Sequence, residues 1–289
     1  MNPSALASVL FWGLYVGCVY VSLAVGLNVI FGVMRVVNFA HGEVMVLGAY
    51  VTFWAWRLLG LNPYVAIPLS MLVVAALGVA IQRLCFRPIS GSGKLNEIFI
   101  SLGLATLLQN AMCRLWTDSP RRVVSPYEAQ AVPLGAFNLR LDYIIGIGLT
   151  ALTLSALHIF LKKTYVGLGL RATSQNREAA VLVGIDVERM EALSFGLGCS
   201  LAALSGSLLS LSPFSPYSGS IPAIKAFAAV ILGGPGSISG AVIAGLAMGM
   251  AEALGTYVLG GSWRDAVVFL LLTALLMVRP WGLRGEVEG

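Results

Sequence analysis

Few side chains in this sequence could do chemistry, and none stands in a reactive pattern. His41-Gly42-Glu43 follows Asn38 by three residues, which sets an imidazole and a carboxylate two positions apart. An H-x-E of this kind holds zinc in nucleobase deaminases, but only with a P-C-x-x-C partner, and the sequence has none. No H-E-x-x-H occurs, and His158, the other histidine, stands alone in an apolar run. A metal site is therefore disfavoured. Cys18, Cys85, Cys113 and Cys199 lie singly in or beside apolar runs without C-x-x-C spacing, as small buried residues do. Gly91-Ser92-Gly93-Lys94 imitates a phosphate loop. The loop needs glycine at 88 and Ser/Thr at 95, where the chain has Pro88 and Leu95, so this is a turn and no ATP site. No serine sits in a G-x-S-x-G elbow and no acidic cluster suggests acid–base work, which argues against an enzyme.

The same ionisable groups gain meaning from their surroundings. Of 289 residues, 58% are hydrophobic and only 11% charged, with a mean hydropathy of +0.87. Soluble domains carry about 25% charge, so this composition belongs to an integral membrane protein. The net charge of +5 resides mainly between apolar runs, a topology signal rather than a nucleic-acid footprint. Charges within spans are costly and usually face a bundle interior or cavity. Asn38, His41 and Glu43 are thus candidates for a translocation pathway. A structural alternative stands beside it: Asn38 caps the helix that follows, with Glu43 at the positive end of its dipole. Lys225 and Glu252 are expected to snorkel to the interface rather than join a pathway.

Apolar runs near 8–32, 39–59, 64–84, 97–116, 143–161, 192–212, 236–260 and 264–280 approach the roughly 20 residues a spanning helix needs. A ninth piece, 223–233, is too short to span upright. The expected fold is an all-α, polytopic membrane bundle of about eight spanning helices plus one re-entrant or broken helix. The first run has no preceding Lys or Arg and reads as a retained span. Arg83, Arg87 and Lys94 mark one loop as cytoplasmic, and segment 162–191 falls on the same side. The 213–222 loop has no Lys or Arg and reads as external. So does 117–142, an ordered extended loop by its prolines, despite Arg121, Arg122 and Arg140. Parity puts the N-terminus outside, whereas Arg279 and Arg284 put the C-terminus inside. Eight crossings cannot satisfy both, so the short piece or the first two runs must alter the count. Polar, Gly-rich breaks recur at FGVMRVVNFAHGE and at LGGPGSISG, the pairing expected of a transport path built from repeats. Gly13-Gly17 and Gly245-Gly249, with Gly26 and Gly32, suit close helix packing.

Lys162–Glu191 is the exception to all this grease. It carries five basic residues (Lys162, Lys163, Arg171, Arg177, Arg189) and four acids (Glu178, Asp186, Glu188, Glu191) and must lie in water. Within it, Ser174 or Asn176 can cap a short helix over Arg177–Val183 that stops at Gly184. Its apolar stripe can rest on lipid or in a groove of a soluble partner. A net charge near +1 makes lipid attraction a weak explanation.

Glu178-Ala179-Ala180, three residues, then Gly184 resembles the EAA-x3-G signature of bacterial ABC importer permeases, without its later I-x-L-P part. NFAHGE with the following GAY, GLGLRATSQNREAAVLVGID, KAFAAVILGGPGSISGA and VRPWGLRG (Val278–Gly285) together resemble the LivH-type permease family of branched-chain amino acid transporters. The resemblance implies a single transmembrane permease domain over residues 1–289, multi-pass in the bacterial cytoplasmic (inner) membrane, with a cytoplasmic coupling loop at 162–191. It implies partners: a second related permease, two cytoplasmic ATPase subunits that bind ATP, and an extracytoplasmic substrate-binding protein. No cofactor is expected in this chain. Glu178, Ala179, Ala180 and Gly184 would couple to the ATPase, and alternating access would move branched-chain or other hydrophobic amino acids. Similar relatives carry urea or short-chain amides. An ion-coupled secondary transporter using His41, Glu43 or Glu252 is the alternative from another class.

Overall fold

The computed structural model describes residues 3–134 and 137–278. Each of the eight apolar runs folds as a helix: α1 (Pro3–Met34), α2 (His41–Leu59), α3 (Pro63–Ile81), α4 (Lys94–Trp116), α5 (Leu141–Lys163), α8 (Val187–Leu209), α10 (Ile238–Leu259) and α11 (Arg264–Val278). Three shorter helices complete the set: α6 (Tyr165–Gln175), α7 (Arg177–Leu182) and α9 (Ser220–Gly233). The residues after Val278, which include most of the VRPWGLRG motif with Arg279 and Arg284, lie outside the described residues.

Among the described residues six helices are long and apolar enough to cross a membrane, fewer than the eight expected. They are α1, α3 with its continuation to Ile89, α4, α5, α8 and α10. The other two fall short for different reasons. α2 spends three of its 19 residues on His41, Glu43 and Arg57, and α11 has 15 residues as described. Most of α2 is buried against its neighbours, so it has no need of a lipid-facing composition.

Burial inside the chain sorts the spans. The apolar windows of α1 and α8 are 89% and 78% buried, whereas those of α4 and α5 are 11% and 17% buried. α1 and α8 are therefore the core. α4 turns Phe99, Leu102 and Leu107 outward, which only lipid or another membrane chain can cover. Close packing against α1 rests on absent side chains: a Cβ on Gly249 of α10 would lie 2.3 Å from the Gly17 backbone. Gly13 and Gly245 pack in the same seam, and Gly26 meets Gly198 of α8, while Gly32 touches nothing that a Cβ would strike. Cys18 and Cys199 are buried and Cys85 and Cys113 half-buried, all four free.

The described residues of the 117–142 loop depart from an all-helical chain. Strands β1 (Ala131–Leu134) and β2 (Phe137–Arg140) pair antiparallel, with Ala131 opposite Arg140. Arg121 exchanges two backbone hydrogen bonds with Phe214, tying this loop to the one after α8.

α9 and α10 form the short piece and its return, the part of the chain expected to alter the count of crossings. They run antiparallel from a break at 234–237, so that Lys225 of α9 faces Glu252 of α10. The chain returns to the end it left, where Arg264 at the start of α11 lies over Trp12 near the start of α1. The hairpin adds no net crossing.

Candidate functional site

α7 is built as its sequence suggests. Asn176 is the N-cap, and its side chain accepts from Ala179 N at 3.0 Å. Ser174 instead donates to the Arg171 carbonyl. At the far end Ile185 N donates to Ala180 O and Gly184 N to Val181 O, both at 3.0 Å. This double bond is a Schellman close, and it requires a left-handed residue, which Gly184 supplies at φ +83°. Of the signature residues only Ala180 is buried; Glu178, Ala179 and Gly184 are exposed. Beside them Val181, Leu182 and Val183 are 57%, 87% and 75% exposed. A short, rigidly capped helix thus offers an uncovered apolar tip outside every candidate span.

Asn38, His41 and Glu43 are brought together at the start of α2, all three nearly inaccessible. Asn38 does not cap that helix. The cap position falls to Ala40, which has no side-chain acceptor, because α2 begins at His41. Asn38 Oδ1 accepts instead from Ala40 N at 3.1 Å, closing a turn before the helix. Glu43 does sit in the first turn, where the helix dipole favours a carboxylate. His41 sits against α1: a Cβ on Gly26 would approach its Nε2 to 3.1 Å. Gly42 packs on Gly219 and Ala223 at the head of α9. Both ring nitrogens of His41 and Asn38 Nδ2 are buried without a hydrogen-bond partner among the described residues. Buried polar atoms are almost always paired. Tyr50 Oη, Trp54 Nε1 and the Gln82 amide share this state, so Asn38 and His41 are polar groups open to a further partner and do not by themselves mark a path.

The second break is satisfied internally. Asn28 of α1 accepts from Gly236 N at 2.9 Å and donates to Ser237 O at 3.0 Å. Backbone released between α9 and α10 thus finds its partners on the central helix, the condition for irregular chain inside a membrane. Asn28 was not singled out in the sequence; an asparagine within a long apolar run was the available signal.

Lys225 and Glu252 do not snorkel. They are 1% and 0% exposed and form a buried ion pair, Nζ to Oε2, at 2.7 Å. The Tyr20 hydroxyl donates to the same Oε2 at 2.6 Å. Arg264 Nε donates to Oε1, and Lys225 also reaches Asp265 at 2.6 Å. Four helices, α1, α9, α10 and α11, meet in this neutral cluster. Lys225 faces inward because antiparallel α9 and α10 carry opposite charges to one level, so pairing outcompetes reaching for the interface. Among the described residues no group of His, Cys, Asp or Glu could hold a metal ion.

A helical membrane bundle with a central helix pair, two interrupted segments and a capped, exposed short helix defines the class of multi-pass transport permeases. One solved structure, PsaBC from Streptococcus pneumoniae in complex with Fab, has the same fold: TM-score 0.51 at 16% identity, covering 95% of this chain and 92% of that one. The family described as "Branched-chain amino acid transport system / permease component" matches residues 9–276, and the chain belongs to it. It is 34% identical to the high-affinity branched-chain amino acid transport permease BraD of Pseudomonas aeruginosa, over 96% of this chain and 94% of that one. It is also 34% identical to the LivH permease of Escherichia coli K12 (96% and 95%), and 30% identical to a probable LivH of Methanocaldococcus jannaschii (92% and 88%).

Proposed function

We propose that this chain is the membrane-spanning subunit of an ATP-driven importer of branched-chain or other hydrophobic amino acids in the bacterial cytoplasmic membrane. It pairs with a second, related permease. Two ATPase subunits bind ATP on the cytoplasmic side and a binding protein delivers substrate outside. α7, beginning with Glu178-Ala179-Ala180 after Arg177, is the helix through which the ATPases act. The observation that carries this reading is the exposed apolar tip of α7, held by a side-chain cap at one end and a Schellman close at the other. A surface helix that buries one residue gains little stability from the chain itself. Its rigidity is suited to a groove on a soluble protein. Names borne by the relatives supply the substrate class. The Lys/Arg-bearing turn near 83–94 and the α6–α7 segment then face the cytoplasm, and the β1–β2 loop faces outward.

Substrate would pass from the binding protein into a path bounded by the buried start of α2, where Asn38, His41 and Glu43 offer polar contacts in otherwise apolar walls. Affinity and selectivity reside in the binding protein, so the path needs little more. The test is ATP-dependent leucine uptake into proteoliposomes that hold the full complex. Glu178→Arg and Gly184→Trp should abolish uptake or release the ATPases. Uptake and ATPase binding that survive both changes refute the assignment of α7.

A further inference from the structure

A cation in the first turn of a helix opposes the helix dipole, yet α7 begins with Arg177. Its side chain does not stay with α7. Nη2 reaches Oε1 of Glu191, in the second turn of α8, at 2.8 Å. The Glu191 carboxylate is 4% exposed and Arg177 51% exposed, so the pair runs from the surface into the bundle. A small cavity beside it is lined by Met34, Val36, Phe86, Glu97, Arg177 and Glu191. There the end of α1, the extended segment leading to Asn38 and His41, the tail of α3 and the start of α4 converge on α7 and α8.

Little else ties α7 to the bundle. Ala180 is its one buried residue. The neighbouring ion pairs are weaker candidates. Arg87–Glu188 is 2.6 Å long but more than half exposed on both sides, and Arg189–Asp186 stays within the turn that opens α8.

We propose that Arg177 is a positioning residue for transport: with Glu191 it forms a strut through which displacement of α7 moves α8 and the segment leading into His41. Without the strut, α7 would swing on its flanking turns at Gln175–Asn176 and Val183–Asp186 and leave α8 behind. This rests on the reading of α7 as the coupling helix. α8 is a fitting receiver because it is packed along most of its length against α1, α2 and α3. A close-packed helix passes displacement on rather than absorbing it.

The experiment measures leucine transported per ATP hydrolysed by the reconstituted full complex, together with ATPase co-purification. Arg177→Gln should retain its ATPases and ATP hydrolysis while transport per ATP falls at least about fivefold, the lower range of typical site-to-site coupling. Glu191→Gln should do the same, and it serves as the readout if Arg177→Gln yields no protein. The exchanged double variant, Arg177→Glu with Glu191→Arg, should recover more coupling than either of its single changes. An unchanged ratio in Arg177→Gln, while Glu178→Arg or Gly184→Trp uncouples, overturns the strut and spares the coupling helix. Loss of the ATPases in Arg177→Gln also overturns it, since Arg177 would then act at the partner. If none of the four positions affects coupling, the reading of α7 fails as well.

Discussion

Replacing Glu252 with leucine removes the carboxylate on which Tyr20, Lys225 and Arg264 converge. The Lys225 ammonium, 1% exposed, then keeps Asp265 at 2.6 Å and the Tyr20 hydroxyl at 3.2 Å. Removing one partner of a buried pair costs about 3–5 kcal/mol. Because Asp265 remains, we expect the lower end, about 3 kcal/mol. Lys225→Leu is milder: Glu252 keeps Tyr20 and Arg264, and the loss is that of a charge-assisted hydrogen bond, about 2 kcal/mol. With both changes the interior becomes apolar at each position and no uncompensated charge faces the other. The double variant should cost about as much as the Glu252 change alone, a coupling energy of about 2 kcal/mol. Equilibrium unfolding in SDS-containing mixed micelles, read by helical circular dichroism, gives all four free energies. Costs that add within about 0.5 kcal/mol, or single changes below about 1 kcal/mol, would show that these residues reach water separately, as snorkelling predicts.

Asn28→Leu leaves Gly236 N unpaired at the α9–α10 break, while Ser237 O keeps its bond from Ala241 N, and should destabilise by about 1–3 kcal/mol in the same assay. His41→Ala should lower leucine uptake by the reconstituted complex while leaving its assembly with the partner subunits intact. The unpaired ring nitrogens contribute little to stability, so normal uptake would remove His41 from the path.

Much of this architecture is written locally. A run of apolar residues must become a helix in lipid because every backbone group needs a partner, and each of the eight runs does. Gly184 and Asn176 announce the ends of α7 because capping is settled within a few residues. The polar breaks at Asn38–Glu43 and Gly234–Ser237 were visible as interruptions in apolar sequence. Other features were not legible. Asn38 looked like a cap, but the helix starts at His41, and a shift of one or two residues converts a cap into a turn. The β1–β2 hairpin follows a proline-rich loop whose pairing was not evident.

The sequence by itself determined that this is a polytopic membrane bundle with one long charged segment, because hydropathy and capping act over a turn or two of chain. The tertiary structure alone decided which charges meet. Lys225 and Glu252 look like separate snorkelling residues until the break folds α9 back on α10. Arg177 looks like a solvated surface charge until α8 brings Glu191 beside it. The cost of burying a charge depends on what lies within a few ångströms, and that distance is set by helix packing rather than by position along the chain.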